Sequence, residues 1–280
     1  MRFLAGALAL LLLVCGLLPA QSSPKKPATP PRKTPTAVPE AAPAPARPAT
    51  NLGPAVAAPI QPDPIEKLTY AAEWRMIPAG TVQSESGKHV TVMRLESTGL
   101  VSTLYRIRDV YTVVYDEPNC AASSMLDSLE GKRHHETKVT FDRAAGRATF
   151  LERDLLKNSI IRTTGVDTPN CVVEVLGAMR RLRALAPPVG QSVQIDMSDG
   201  RKSSPVKVEA QEREKVKTPS GTYNAIRYEA FLLNGVVYPR KGRLFIWLSD
   251  DEKHLPVQIR LKLPFPVGTV TLQLQKEERL

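Results

Sequence analysis

The chain has 280 residues, a formal net charge of +10 and only three cysteines. This length allows one large domain or two small ones, and the cysteine count argues against a cysteine-rich scaffold, a zinc finger or an iron–sulfur protein. The four histidines show no metal-ligand spacing, so neither a metal nor another cofactor is predicted.

The first 22 residues have the features of a secretory signal peptide. A short basic start precedes the almost unbroken apolar stretch 3–18, and small residues at 20 and 22 fit a cleavage site. The sequence therefore predicts an exported, periplasmic protein with residues 1–22 removed. Two alternatives stay open: an uncleaved segment that anchors the chain in the inner membrane, and a lipoprotein modified at Cys15.

Residues 23–64 are predicted to be a disordered linker. They hold 13 of the 25 prolines of the chain, and proline at this density favours extended polyproline II over a packed core. The linker carries a charge of +3 from five cations and two carboxylates. It is interpreted as a solvated spacer, with attraction to anionic surfaces as the alternative.

Residues 65–280 are predicted to form a single, mainly β domain. Leu68, Tyr70, Ala72, Trp74 and Met76 alternate with mostly polar neighbours, which is typical of a half-buried strand. Similar alternation recurs at 88–97, 106–115, 132–141, 191–197, 205–213, 222–232, 243–249, 255–263 and 268–276. About a dozen short strands predict an antiparallel meander, and such a sheet must curl into a half-barrel or β-spiral to cover its apolar face.

Hairpin turns are predicted where turn-forming residues separate the strands: Asp199-Gly200, Pro219-Ser220-Gly221, Asn234-Gly235 and Ser249-Asp250-Asp251. The last group is acidic, but it lacks the spacing of a calcium loop, so we interpret it as a turn.

One substantial helix is predicted over 172–185. Val172, Val175, Leu176, Met179 and Leu182 share one face, whereas Glu174 and three arginines lie mostly on another. Residues 167–170 are its candidate caps, and Pro187-Pro188 ends it. We expect this helix to cover the open side or mouth of the curled sheet.

Several short motifs resemble a known family. They are LTYAAEW at 68–74 with PAG at 78–80, EREKVKTPSG at 212–221, LFIWLSDD at 244–251 and LPVQI at 255–259. Together with the helix, they resemble the domain-of-unknown-function 3108 family of exported bacterial proteins, over nearly all of 65–280. The resemblance implies a curled antiparallel β domain in the cell envelope, similar in architecture to the half-barrels of lipoprotein carriers and to other envelope β-spiral proteins. It implies no catalytic residue.

Cys120 and Cys171 remain after signal cleavage, and two such residues most often pair in an oxidising periplasm. A disulfide is therefore predicted, with two buried, unpaired thiols as the alternative. His134 and His135 face opposite sides of a predicted strand, so they cannot share a metal ion without a bulge.

Two groups of side chains are candidates for ligand contact. Tyr70, Trp74, Tyr105 and Trp247 either pack in the core or line an apolar groove inside the sheet. Arg180, Arg181 and Arg183 on the helix are either solvated or contact a phosphate or carboxylate headgroup.

These features support two functional hypotheses, neither of them an enzyme. In the first, the domain is a non-catalytic envelope module that binds or scaffolds another envelope protein or a wall component through its sheet. In the alternative, it carries a lipid or a lipoprotein acyl chain in the half-barrel interior. Nucleic acid is not an expected partner because no dense basic stripe with interleaved aromatics is present, and any membrane contact is expected to be peripheral.

Overall fold

The computed structural model describes residues 66–116 and 119–279. The predicted signal peptide, the linker and the alternative lipidation site at Cys15 lie outside these residues. Within them, no helix is long and apolar enough to cross a membrane.

Fourteen strands and two helices make up the described chain. The strands are β1 (Glu66–Trp74), β2 (Ile77–Ser86), β3 (Val90–Ser97), β4 (Ile107–Asp116), β5 (Cys120–Glu130), β6 (Arg133–Asp142), β7 (Arg147–Asp154), β8 (Ser159–Asp167), β9 (Ser192–Ser198), β10 (Ser203–Thr218), β11 (Gly221–Ala230), β12 (Arg243–Ser249), β13 (Pro256–Lys262) and β14 (Thr269–Glu278). The helices are α1 (Gly99–Leu104) and α2 (Val175–Leu185).

All fourteen strands form one antiparallel sheet, in the order β8-β7-β6-β5-β4-β3-β2-β1-β14-β13-β12-β11-β10-β9. The first and last strands pair in the middle of the sheet, with Ala72 opposite Leu272. Every other neighbouring pair is consecutive in sequence, so the chain runs as two meanders joined at β1 and β14. The predicted mainly β meander with one substantial helix is confirmed.

A short segment before α2 fastens one edge of the sheet to an inner strand. The Ala121 amide on β5 donates to the Val172 carbonyl oxygen at 2.9 Å. The Val173 amide donates to the Asp196 carbonyl oxygen on β9 at 3.0 Å, and the Ser198 amide donates back to the Val173 carbonyl oxygen at 2.9 Å. These bonds hold the run of strands from β9 to β5 in a curl, and β6, β7 and β8 extend beyond it.

The core lies inside this curl. Alternate residues of the strands point inward, as in β4, where Ile107, Tyr111, Val113 and Tyr115 are buried. The connection 231–242 between β11 and β12 also contributes the buried side chains Leu232, Leu233, Val237 and Tyr238. A smaller apolar cluster, which includes Phe141 and Phe150, lies under β5 to β7.

The structure corrects the start of the predicted helix. Val172 and Val173 are extended, and α2 begins at Val175 with Glu174 as its N-cap. Glu174 does not share the face of the arginines but is buried, and its carboxylate accepts hydrogen bonds from the Leu176 and Gly177 amides, both at 2.6 Å. The predicted cap Asp167 instead ends β8.

One local sequence prediction is wrong. Met76 does not continue the inward face of β1, because it lies in the β1–β2 turn with a φ of 66° and is 89% exposed. All four predicted turns fall in connections between consecutive strands. Asn234-Gly235 forms a turn within the long connection 231–242 between the paired strands β11 and β12, and part of this connection is buried in the core.

Candidate functional site

Helix α2 is fixed at one end of the curled sheet by two of its arginines. The Arg180 guanidinium donates to the carbonyl oxygens of Gly87 at 3.0 Å and Lys88 at 3.1 Å, in the β2–β3 turn. Arg183 forms a bidentate ion pair with Glu66, with N–O distances of 2.6 and 2.9 Å, and donates to the His254 carbonyl oxygen at 3.0 Å. These predicted headgroup contacts are thus engaged within the protein.

The third predicted headgroup residue, Arg181, points at a disulfide. Cys120 at the start of β5 and Cys171 before α2 form this bond across a sequence separation of 51, which confirms the predicted pairing. An Arg181 nitrogen lies 3.9 Å from the Cys120 sulfur and closer to the Cys171 sulfur. The disulfide therefore reinforces the segment that fastens β5 to β9.

An apolar chamber of about 100 Å³ lies between α2 and the sheet. Its lining residues are Tyr70, Val82, Ser84, Met93, Val175, Leu176, Met179, Leu232, Leu233, Leu244, Ile259, Leu261 and Leu272. The chamber is smaller than the ~150 Å³ cavity that admits benzene in a protein core. It is also far below the roughly 300 to 1,000 Å³ of typical ligand pockets. As it stands, the chamber is too small for a lipid.

Of the four aromatic side chains predicted to line a groove, Tyr70 lies in this chamber, and the other three lie elsewhere. Trp74 donates its indole N–H to the Val267 carbonyl oxygen at 2.7 Å. Tyr105 follows α1 and places its hydroxyl 3.4 Å from a Glu130 carboxylate oxygen. Trp247 lies on the face of β12 opposite the chamber residue Leu244, where it is buried in the core cluster and donates its indole N–H to Glu214 at 2.8 Å.

Two carboxyl groups are buried away from the chamber, Asp109 on β4 and Glu130 on β5. Burial raises the pKa of Asp109 to about 7 and that of Glu130 to about 8, although the Ser128 hydroxyl lowers both. Neither carboxylate oxygen of Asp109 has a partner within normal hydrogen-bond distance and angle. No group of three metal-ligating side chains occurs within 66–116 and 119–279.

The two adjacent histidines on β6 contact different carboxylates. His134 lies 2.7 Å from Asp127, and His135 lies 3.5 Å from Glu152. This arrangement matches the prediction that their side chains point to opposite faces of a strand.

The outermost strand β8 is the most exposed strand of the sheet. Eight of its nine residues are exposed, and these include Ile160 at 61% and Ile161 at 45%. It pairs with β7 on one side, and no described strand pairs with its other side. The opposite edge strand, β9, is partly covered by the bridge from Val173 to Met197.

The register of β8 shows which backbone groups face away from β7. Thr168 donates its amide to the Gly146 carbonyl oxygen at 2.8 Å, and the register continues with Asp167 opposite Arg147. In an antiparallel ladder, hydrogen-bonded pairs alternate with pairs whose N–H and C=O groups point outward. By this alternation, Thr163 and Gly165 direct their N–H groups away from β7 and leave them available to another strand.

The sequence of the β domain decides its family. Residues 69–275 match the family described as protein of unknown function DUF3108. The chain belongs to this family. No curated protein matches the sequence.

The DUF3108 domain is similar in fold to a solved β-barrel-like protein of the DUF1849 family from Brucella abortus. The TM-score is 0.53 at 10% identity, and the match covers 79% of this chain and 99% of that one. More distant matches are a DUF1089 family protein from Pseudomonas aeruginosa, with a TM-score of 0.36 at 12% identity, and a Bacteroides fragilis protein described as exported with a YmcC-like fold, with a TM-score of 0.30 at 10% identity. These cover 76% and 78% of this chain and 97% of each of the other chains.

Sequence reasoning missed the open edge of the DUF3108 domain. Residues 159–167 read SIIRTTGVD, which lacks a clear alternation because both faces of β8 are solvated. The available signal was the pair of β-branched residues Ile160 and Ile161, with two threonines after them. They indicate a strand, although nothing in them shows that it forms an edge.

Proposed function

We propose that the DUF3108 domain is a non-catalytic binding module of the cell envelope, which captures an extended segment of another envelope protein at β8. The supporting observation is the unpaired edge of this strand: nine residues, about 30 Å of backbone at 3.4 Å per residue. Strand addition supplies affinity through backbone hydrogen bonds, and side chains beside the edge supply specificity.

Unused edges in natural sheets are usually blunted by proline, by inward-pointing charge or by a covering segment. β8 contains no proline, and its single register shift leaves Ile161 as an extra residue between Arg162, opposite Glu152, and Ile160, opposite Arg153. The first half of β8 exposes Ile160 and Ile161. Arg162 follows them and has no carboxylate partner among the described residues. A partner segment with β-branched residues and a nearby carboxylate would complement this edge.

An exported location is part of the same proposal. The Cys120–Cys171 disulfide fits an oxidising compartment such as the periplasm. The peptide groups of β8 would there meet unfolded or extended parts of other exported chains.

The alternative, a carrier of a lipid or an acyl chain, is favoured by the apolar chamber under α2. At about 100 Å³, however, the chamber would have to enlarge through displacement of α2. Arg180 and Arg183 oppose this displacement through their bonds to the β2–β3 turn, to Glu66 and to His254. The size of the chamber therefore supports the binding module over the carrier.

Thr163→Pro tests the proposed strand addition because it removes one outward N–H without removing a bond to β7. Thr163→Ala is the matched control, since it keeps that N–H. A photoreactive amino acid at position 161 is used in living cells to capture the partner, with the exposed Met125 of β5 as the control position.

We expect position 161 to yield a cross-link to one segment of an envelope protein. Thr163→Pro should reduce this adduct by about tenfold or more, whereas Thr163→Ala should keep most of it. The proposal is wrong if the adduct survives Thr163→Pro, if the only adduct is a second copy of this chain, or if no adduct forms. Thermal unfolding of both variants verifies that the domain remains folded.

A further inference from the structure

The two ends of the sheet differ in the chemistry of their connections. Strand direction alternates throughout the antiparallel sheet, so the connections β1–β2, β3–β4, β5–β6, β7–β8, β9–β10, β11–β12 and β13–β14 all lie at one end. We call this the basic end. Helix α2 lies at the other end, where Arg180 contacts the β2–β3 turn and Arg183 the β12–β13 turn.

Positive charge is concentrated in the connections of the basic end. They contain one carboxylate, Asp199, against eight cations: Arg75, Arg106, Lys132, Lys157, Arg201, Lys202, Arg240 and Lys241. Arg201 pairs with Asp199, and Lys157 with Asp154 of β7. The other six have no carboxylate partner among the described residues. The described connections at the α2 end, with α2 itself included, hold six cations and four carboxylates.

Large apolar side chains are exposed in the same connections. Met76 and Phe265 are each 89% exposed, and Leu156, Leu100 and Leu104 are each more than half exposed. Ile77, Leu155, Ile160, Ile161 and Phe231, which lie in these connections or within three residues of them, are also exposed. Exposed apolar groups of this number mark an interaction surface.

The apolar and basic groups are neighbours in space as well as in topology. The Arg75 guanidinium lies 5.9 Å from the centre of the Phe265 ring and donates to the Val267 carbonyl oxygen at 3.2 Å, which joins the β1–β2 and β13–β14 turns. The Lys202 ammonium contacts the Gly235 carbonyl oxygen, which joins the β9–β10 and β11–β12 connections. Four of the seven connections at the basic end are therefore joined in two pairs.

We propose that the basic end docks onto an anionic lipid bilayer. Met76, Phe265 and Leu156 would enter the boundary between headgroups and acyl chains, and the surrounding lysines and arginines would contact lipid phosphates. Apolar burial combined with attraction to anionic lipid is the usual basis of peripheral membrane binding. The excess of positive charge favours a lipid surface over a neutral protein partner.

Vesicle sedimentation of the protein, purified as the cell exports it, tests this docking. The probe is phosphatidylcholine vesicles with about one third phosphatidylglycerol, compared with phosphatidylcholine alone. We expect binding to the anionic vesicles that weakens as salt is raised. Met76→Ser combined with Phe265→Ser, and separately Arg240→Glu combined with Lys241→Glu, should each weaken binding by about tenfold.

The controls alter matched residues away from the basic end. Met125→Ser and Leu185→Ser change exposed apolar residues elsewhere, and Lys217→Glu changes an exposed lysine near the α2 end of β10. These variants should bind the anionic vesicles as the unaltered protein does. Equal binding to neutral vesicles, retained binding in both basic-end variants, or equal losses in the controls would overturn the proposal. So would a complete lack of vesicle binding, as expected if a protein covers this end.

The strand-addition proposal has a separate outcome in the same assay. Thr163→Pro removes an outward amide of β8 and leaves the basic end unchanged, so its vesicle binding should equal that of the unaltered protein. Failure of either proposal can therefore be recognised without the other.

Discussion

Two buried carboxyl groups place an energetic cost on the interior of the sheet. Asp109 lies opposite Ser128, and Glu130 lies opposite Ile107, so the two carboxyl groups are diagonal neighbours on β4 and β5. Burial is the largest cause of both raised pKa values. The charge of Asp109 further raises the pKa of Glu130, and the charge of Asp127 further raises the pKa of Asp109. The folded protein therefore holds protons that the unfolded chain releases.

The raised pKa of Asp109 predicts a pH dependence of stability. Its ordinary value is 3.8 and its folded value is about 7, so folded stability falls as the pH rises between these values. The cost approaches ~4 kcal/mol once the pH exceeds the folded value. Asp109→Asn removes this term, so the stability of the variant relative to the unaltered protein should rise between about pH 4 and pH 8.

Urea unfolding at several pH values measures this difference. The exposed Glu252→Gln serves as the control and should follow the unaltered protein at each pH. Identical pH profiles for Asp109→Asn and the unaltered protein would contradict the prediction.

At the residue scale, the sequence shows which side chains are apolar but not which polar ones are buried. Helical spacing places Glu174 with the three arginines, away from the apolar face of the predicted helix. The partners of Glu174 are the free amides at the start of α2 and the Tyr115 hydroxyl at 3.1 Å, and both depend on where the helix begins. Burial raises the pKa of Glu174, whereas these amides lower it.

At the scale of elements, the segment 171–174 determines how the sheet closes. It is bonded through its backbone to β5 and β9, and the disulfide ties it to β5 a second time. Helix α2 follows directly, so the same fastening fixes the start of the helix above the chamber.

The disulfide is accordingly expected to make a large contribution to stability. For a separation of 51 residues, the chain-entropy model gives about 4 kcal/mol. Reductant should lower the urea midpoint of the unaltered protein to that of a Cys120→Ser, Cys171→Ser double variant. Reductant should have no effect on the double variant, and an unchanged midpoint for the reduced native sequence would contradict the prediction.

The success of strand prediction followed the burial pattern of each strand. Strand β4 was predicted to within one residue of its bounds, because one of its faces is buried in the core and the other is at least partly exposed to solvent. Strands β2, β5, β7 and β8 were missed. In β5 the inward face includes Ser124 and Ser128, and in β8 both faces are exposed. In neither strand do apolar inward residues alternate with polar outward ones, so the sequence lacks the pattern of a half-buried strand.

At the scale of the whole molecule, the curl of the sheet could be predicted from the sequence. Which residues fill the core inside the curl could not. A long antiparallel sheet must cover its apolar face, and this argument needs only the number of strands. The filling depends on contacts distant in sequence. The connection 231–242 reads FLLNGVVYPRKG, and its asparagine and glycine indicate a turn, whereas four of its apolar residues lie in the core.

The charge difference between the two ends is also a property of the whole molecule. The sequence shows an excess of positive charge spread thinly along 65–280. Only the alternation of strand direction collects Arg75, Lys132, Lys157 and Lys241 at one end.

We expect the packed interior of the curled sheet to hold no ligand, so that partners bind outside it. Native mass spectrometry of the exported protein, gently purified and desalted from high salt, tests this expectation most directly. High salt detaches lipids that are held only by charge at the basic end. We expect a mass equal to that of the bare polypeptide with its disulfide. One lipid or acyl chain retained per polypeptide would contradict the packed interior and indicate a carrier.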